Sequence, residues 1–96
     1  MLTPTQIVAL APDVVLQMID GDALILKLND ETFFSLNPTG ARVAQLISEG
    51  SRVSAILDIL EGEYGVSRSA LEHDVNDLVD KLRQRGLVVI RTTENE

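Results

Sequence analysis

The sequence has no cysteine, no tryptophan and one histidine, and its aromatic residues are two Phe and one Tyr. Without cysteine the chain forms no disulfide and supports no thiolate chemistry, and one histidine leaves little for a metal site. We therefore expect neither a metal nor a cofactor. Because aromatic side chains are so few, Leu, Ile and Val must fill the hydrophobic core.

Long apolar runs are also missing. No stretch approaches the roughly 18 apolar residues that a transmembrane helix needs. The N-terminal segment 1–11 lacks the basic start of a secretory signal peptide. These absences favour a cytoplasmic protein with no membrane partner. A chain of 96 residues suffices for one small domain with a single modest core.

Positive charge is scarce as well. Eight Lys and Arg residues stand against 15 Asp and Glu residues, which gives a net charge of −7 and an isoelectric point near 4.5. Proteins that bind nucleic acids use Lys and Arg to release counterions from phosphates, so a chain this acidic is poorly suited to that task. The composition favours basic or apolar protein partners and no nucleic acid.

Sequence patterns of catalysis are absent too. The chain has no Gly-rich phosphate-binding loop and no helical pair of His residues at metal-binding spacing. Asp74, Asp77 and Asp80 recur at every third position. On a surface helix such a run is typical of a solvated face rather than of acid–base chemistry. We therefore predict that the protein is not an enzyme.

The pattern of the first third of the chain predicts a β-meander. Residues 1–12 show only weak periodicity between two prolines, and we expect a flexible arm there. Three apolar, strand-like runs follow, separated by polar turns, over residues 14–19, 23–28 and 32–36. A three-stranded meander leaves two open edges, and the third strand, Thr32–Leu36, carries no charge to guard its edge.

From Asn37 the apolar period changes to that of a helix. Asn37 is a good N-cap, and Pro38 suits the first helical position. Three helices are predicted, over residues 37–50, 52–64 and 67–85. We expect Ser51 to cap the second helix and either Ser67 or Ser69 to begin the third, since Ser69 opens a capping-box pattern.

Gly86 is predicted to end the third helix, and Leu87–Ile90 is predicted to form a short terminal strand. The polar tail 91–96 is expected to be disordered. The order of elements predicts an α+β fold, in which a three-stranded antiparallel meander precedes three helices.

Three stretches resemble the PqqD family: D-G-D-A-L-I-L-K-L at Asp20–Leu28, F-F-S-L-N-P-T-G-A-R at Phe33–Arg42, and L-E-H-D-V-N-D-L-V-D-K-L-R-Q-R-G-L-V at Leu71–Val88. The resemblance covers residues 13–90, with the order and spacing of the family. Its founding member takes part in the biosynthesis of pyrroloquinoline quinone (PQQ). Its relatives recognise the precursors of ribosomally synthesised and modified peptides (RiPPs), lasso peptides among them.

The resemblance implies a winged-helix-like domain over 13–90 that acts as a RiPP recognition element. In that family the leader segment of a precursor peptide adds as an extra strand to the third strand and lies against the third helix. The domain works as a peptide chaperone in natural-product biosynthesis. It presents the precursor to a maturation enzyme such as a leader protease, a cyclase or a radical enzyme. The L-N-P-T-G junction resembles the broad peptide-recognition branch more than the cofactor-pathway members.

We predict that the peptide-binding groove lies between the third strand and the third helix. Its residues are Thr32, Phe33, Phe34, Ser35 and Leu36 on the strand, and Asp74, Val75, Leu78, Lys81, Leu82 and Arg85 on the helix. An open strand edge pairs with a peptide backbone, while the apolar stripe and its charged flanks contact alternate side chains. Phe33 and Phe34 point to opposite faces of the sheet, and simple core packing explains at least one of them.

Two functions remain open from the sequence: leader-peptide recognition and DNA binding by a winged-helix regulator. A DNA-recognition helix needs exposed basic or amide side chains near its N-terminus. The third predicted helix instead carries acidic residues there, and its Lys and Arg residues come only at the end. Peptide recognition is therefore the preferred hypothesis. The open strand edge also permits a homodimer formed by strand exchange.

Overall fold

A computed structural model of the chain describes residues 2–29, 31–48 and 50–92. Its strands are β1 (Ile7–Leu10), β2 (Val14–Ile19), β3 (Asp22–Lys27), β4 (Thr32–Leu36), β5 (Ser51–Arg52) and β6 (Val88–Arg91). Its helices are α1 (Pro38–Ser48), α2 (Val53–Tyr64) and α3 (Arg68–Gln84). An antiparallel meander followed by three helices confirms the predicted winged-helix-like α+β fold.

The meander is a sheet with the strand order β2-β3-β4. Its first turn consists of Asp20 and Gly21, whose φ angles of 50° and 90° are those of a type I′ hairpin turn. Such a turn matches the natural twist of the strands and fixes their register. In the first hairpin Leu16 therefore stands opposite Ile25. In the second hairpin Ile25 stands opposite Phe34, and Leu26 stands opposite Phe33.

The inner face of the meander packs against α1. Ile25 is fully buried on this face, and its neighbours Ala23 and Leu36 are nearly so. Every side chain that is buried in the described part of the chain is apolar, as expected for a core built from Leu, Ile, Val and Ala. The core continues under α2 and α3 through Ile56 and Leu82, so a single core holds the sheet and all three helices.

The N-terminal segment differs from the expected flexible arm. Within residues 1–12, Ile7–Leu10 form β1, the central strand of a second antiparallel sheet with the order β5-β1-β6. Val8 is fully buried, and the Val53 amide donates a hydrogen bond of 2.9 Å to the Gln6 carbonyl. The partner strand β6 lies at the other end of the chain, so a local pattern could not reveal this pairing.

The helix caps agree with the sequence at two of the three starts. The Gly40 amide donates to Asn37 Oδ1 at 2.9 Å, and the Ala70 amide donates to Ser67 Oγ at 3.2 Å. Ser67, and not Ser69, is therefore the N-cap of α3. The prediction that Ser51 caps α2 is wrong, because Ser51 belongs to β5 and its hydroxyl donates to the Leu46 carbonyl.

The predicted tail overlaps the last strand. Arg91, its first residue, belongs to β6 and stands opposite Ile7. Residues 93–96 lie outside the described part of the chain, as do Met1, Asp30 and Glu49.

Burial of β1 leads to a prediction about the free energy of unfolding. Val8→Ala should lower the free energy of unfolding by about 2 kcal/mol, because it removes two buried methyl groups and leaves a cavity. Val89→Ala on the neighbouring β6 is the matched control, since Val89 is 41% exposed. Urea denaturation measures both changes. Equal, small effects at the two positions would show that residues 1–12 are a loose arm after all.

Candidate functional site

A cleft of about 500 Å³ opens between β4 and α3. Its lining comes from β4, the start of α1, the end of α2 and one flank of α3. These residues are Phe34, Ser35, Leu36, Asn37, Thr39, Gly40, Val43, Leu60, Tyr64, Leu71, Asp74, Val75, Leu78 and Lys81. The cleft thus brings together the predicted groove residues Phe34, Ser35, Leu36, Asp74, Val75, Leu78 and Lys81.

The other four predicted residues lie outside the lining. Thr32 pairs with Lys27 at the start of β4, and Leu82 is fully buried in the core. The Phe33 side chain is 62% exposed on the outer face of the sheet, so only its backbone belongs to the β4 edge. Arg85 caps the end of α3, with its guanidinium carbon 5.0 Å from the centre of the Phe34 ring.

Sequence reasoning missed the contribution of α1 and α2 to this cleft. Tyr64, the only tyrosine, ends α2 and is half-exposed at the cleft, while Val43 and Leu60 form part of the floor. In the sequence these residues belong to the apolar stripes of two separate helices. Only the convergence of three helices shows that the stripes meet beside β4. The one available signal was Tyr64, an aromatic ring at the end of a stripe.

The backbone of β4 offers an open edge. Among the described residues, β4 pairs with β3 on one side and with no strand on the other. In the type I′ hairpin the residues next to the turn exchange hydrogen bonds, so Asp22 and every second residue of β3 bond to β2. The remaining residues of β3 then bond to β4. These pairs are Ala23 with Leu36, Ile25 with Phe34, and Lys27 with Thr32. The N–H and C=O groups of Phe33 and Ser35 therefore point to the open edge.

The flank of α3 that faces β4 carries charges of both signs. Asp74 and Lys81 are exposed on either side of Leu78, which is half-buried in the cleft. The opposite flank of α3 borders two other cavities, of about 480 and 470 Å³, beside the N-terminal Leu2. Neither of these adjoins the β4 edge. The cleft beside β4 is therefore bordered by the flank with Asp74 and Lys81, whereas the sequence left the flank of α3 open.

Ion pairs of Arg42 and Arg68 connect neighbouring helices. Arg42 of α1 contacts Glu63 of α2 at 2.6 Å, and its hydrogen bond lowers the pKa of the Glu63 carboxyl. Arg68 of α3 contacts Asp58 of α2 at 2.6 Å, and this hydrogen bond raises the pKa of the Arg68 guanidinium. Both pairs are at the surface, where such contacts contribute little to stability. They connect α1 to α2 and α2 to α3.

The exposed face of α3 is acidic along most of its length. Glu72, Asp74, Asp77 and Asp80 are all exposed, and His73 contacts Asp77 at 3.3 Å. This field repels phosphate backbones, so the structure gives the DNA-binding alternative no support. Over residues 2–29, 31–48 and 50–92 there is no cluster of three or more His, Asp or Glu side chains that could hold a metal ion. No helix in those ranges is long and apolar enough to cross a membrane.

Comparison with known proteins gives one family and two solved structures. The model of the family described as coenzyme PQQ synthesis protein D (PqqD) matches residues 14–88. One similar structure is TbiB1 in complex with the TbiA(beta) leader peptide. It is 32% identical, with a TM-score of 0.79, and the match covers 83% of this chain and 93% of that chain.

The second similar structure is lasso peptide synthetase B1 complexed with the leader peptide. It is 26% identical, with a TM-score of 0.75, and the match covers 85% of this chain and 96% of that chain. Comparison with curated proteins gives no match.

The N-cap of α1, the helix that borders the cleft, leads to a prediction about stability. Asn37→Ala should lower the free energy of unfolding by about 1 kcal/mol, because the Gly40 amide loses its acceptor. Asn37→Asp is the control and should stay near the wild-type value, since a carboxylate also caps this amide. Thermal or urea denaturation compares the three proteins. An alanine variant as stable as the aspartate variant would contradict the capping role.

Proposed function

The chain belongs to the PqqD family, and from this we propose that it recognises the leader segment of a ribosomally synthesised precursor peptide. The protein acts as a non-catalytic RiPP recognition element. The observation that carries the proposal is the open edge of β4 beside an apolar cleft. Two similar solved structures, both complexes with leader peptides, support it.

Binding begins with strand addition. The backbone groups of Phe33 and Ser35 supply two donors and two acceptors at the open edge of β4. A leader segment that pairs with them extends the meander by one strand, and this pairing contributes affinity regardless of the leader sequence. A segment of about ten to twenty residues is long enough to follow the strand and then contact α3.

Selectivity comes from the cleft. Alternate side chains of an added strand point to the same face of the sheet, so every second leader residue faces α3. Val75 and Leu78 give an apolar floor, and Tyr64 closes one end. Burial of an apolar leader side chain here contributes more than a surface ion pair would.

Charges at the rim tune this selectivity. Lys81 and Arg85 favour acidic groups of the leader near the end of α3, and Asp74 favours basic groups about two to three turns earlier. Arg85 is held over the Phe34 ring, which keeps its guanidinium beside the β4 edge.

The bound precursor is then presented to a maturation enzyme, a leader protease, a cyclase or a radical enzyme. The lasso-peptide relative favours a lasso pathway over PQQ biosynthesis. The cytoplasm is the expected place of action, because ribosomal precursors are made there. A second copy of the chain could pair with the same β4 edge, so a homodimer and the leader would compete for it.

Strand addition predicts the effect of a proline at the edge. Ser35→Pro removes an N–H that points to the open edge, and its ring obstructs the incoming strand, so leader affinity should fall about tenfold or more. Ser35→Ala is the control and should stay within about twofold. Fluorescence anisotropy with the labelled leader of the cognate precursor peptide measures both, with a wild-type Kd in the nanomolar to micromolar range.

Two results of this titration would count against the proposal. Unchanged affinity of Ser35→Pro would place the leader elsewhere than on β4. Absence of binding by the wild-type chain would overturn leader recognition, and binding of duplex DNA that weakens steeply with salt would replace it by the DNA-binding alternative.

The charges at the rim of the cleft lead to a separate prediction about leader affinity. Lys81→Glu should weaken binding of an acidic leader or strengthen binding of a basic one by about threefold or more, and it should change the salt dependence. Arg83→Glu is the control, because Arg83 lies on the opposite flank of α3 and the charge change is the same. Both variants should unfold within about 0.5 kcal/mol of the wild type. Equal effects of the two variants on leader affinity would show a long-range field rather than a rim contact.

A further inference from the structure

Lys27, on the inner face of the meander, reaches the end of α3. It shares this face with Ala23 and Ile25, and its side chain is half-buried. Its ammonium nitrogen lies 2.7 Å from the point that a Cβ atom would occupy at Gly86, just past the C-cap of α3. The next atom near this point is Lys27 Cε, at 3.9 Å. The Lys27 ammonium group therefore fills the space that the missing side chain of Gly86 leaves.

The end of α3 is suited to a cation. Gly86 has a φ angle of 73°, and its amide donates to the Arg83 carbonyl while the Leu87 amide donates to the Leu82 carbonyl. These two bonds form a Schellman motif, which ends a helix with a residue in the left-handed conformation. The carbonyl end of a helix carries a partial negative charge, and a nearby ammonium group is stabilised there. Lys27 thus makes a favourable contact with α3 although it belongs to the sheet.

Direct packing between α3 and the meander is sparse. The helix packs mainly on α2 and β6. A second contact runs in the opposite direction, from Arg85 at the end of α3 to the Phe34 ring on β4, with 5.0 Å between the guanidinium carbon and the ring centre. Both contacts lie at the same end of the cleft. They join its two walls, the meander and α3, at the point where the helix ends.

We propose that Lys27 is a positioning residue for the leader, and that its contact with the end of α3 sets the distance between the β4 edge and the helix. The inference rests on the proposed function for the identity of the ligand. Lys27 is not among the residues that line the cleft, so it acts on the leader through α3. Asp74 lies about 18 Å back along the helix, so a small tilt at Gly86 becomes a larger displacement there.

The distance between the two walls matters because the leader must fit between them. A strand added to β4 lies about 4.8 Å from it, and its inward side chains must reach Leu78 without a clash or a gap. With α3 held at its end by Lys27, the free protein already has the required spacing. The leader then binds without first moving the helix, and such preorganisation increases affinity.

The first test compares leader affinity among variants of the full chain by fluorescence anisotropy. Lys27→Met removes the ammonium group and should weaken binding by about fivefold or more. Lys27→Arg keeps a cation of similar reach and should stay within about twofold of the wild type. Arg83→Met is the matched control and should also stay within about twofold. It removes a positive charge from the last turn of the same helix, but Arg83 lies on the flank away from the cleft.

Gly86→Ala tests the same contact from the side of the helix. The new Cβ would displace the Lys27 ammonium group, so leader affinity should fall by about fivefold or more. Gly50→Ala is the matched control, because its φ angle is 74° and no atom of the described residues lies within 4 Å of its Cβ position. Both alanines carry similar backbone strain. In the Lys27→Met background Gly86→Ala should weaken leader binding no further, which separates the contact from the strain.

A distance measurement reports on the cleft without the leader. The chain has no native cysteine, so nitroxide labels can be attached through Phe33→Cys and Asp77→Cys, at two exposed positions on β4 and α3. Double electron–electron resonance should give a narrow distance distribution, which Lys27→Met should broaden or shift and Lys27→Arg should preserve. A purely stabilising role of Lys27 would lower the urea midpoint and leave this distribution unchanged.

The outcomes separate this inference from the proposed function. If Lys27→Met binds the leader as tightly as Arg83→Met, the inference is overturned while leader recognition stands. It is also overturned if Lys27→Met and Lys27→Arg lose affinity alike, or if the label distance is the same with and without the ammonium group. Failure of the wild-type chain to bind the leader would refute the proposed function instead. The label distances would then still decide whether Lys27 sets the width of the cleft.

Discussion

Packing of α1 against the inner face of the meander is the contact on which the rest of the structure depends. β4 runs directly into α1, and the Asn37 cap fixes the angle at which the helix starts. Because Ile25 and Leu36 are buried under α1, the outer edge of β4 is held at a constant distance from the helices. α2 then packs on α1, and α3 packs on α2 and completes the cleft. A change in this one contact would move the strand edge and the apolar floor relative to each other.

Local patterns predicted most of the elements, and the reasons are visible in particular residues. The meander and its first turn follow from alternating apolar residues around Asp20 and Gly21, and the start of α1 follows from Asn37 and Pro38. The side of α3 that faces β4 was harder to predict. Leu82 and Leu78 belong to the same apolar stripe, yet one is fully buried and the other faces the cleft, because the stripe is wider than the core that it covers.

Long-range pairing explains what the sequence could not reveal. β1 pairs with β6, whose residues are some eighty positions away, and no local periodicity specifies such a partner. A second pairing of β1, with β5, places Ser51 in a strand, where it does not cap α2. Tyr64, Val43 and Leu60 were visible as apolar positions on two helices, but their convergence beside β4 is a tertiary property. The contribution of a residue to a site therefore depends on elements that its own segment does not specify.

The alternation of β4 has an evolutionary consequence. Phe34 and Leu36 point inwards, Phe33 points outwards, and the backbone edge belongs to neither set of side chains. One strand of five residues thus presents three separate surfaces, two made of side chains and one of backbone groups. Under the proposed function, the cleft side chains can change with the leader, and the outward side chains can change independently of them. The edge itself tolerates both kinds of drift, because its hydrogen-bonding groups are the same for every residue except proline. A short strand of this type can be recruited into new pathways by changing one set of side chains at a time.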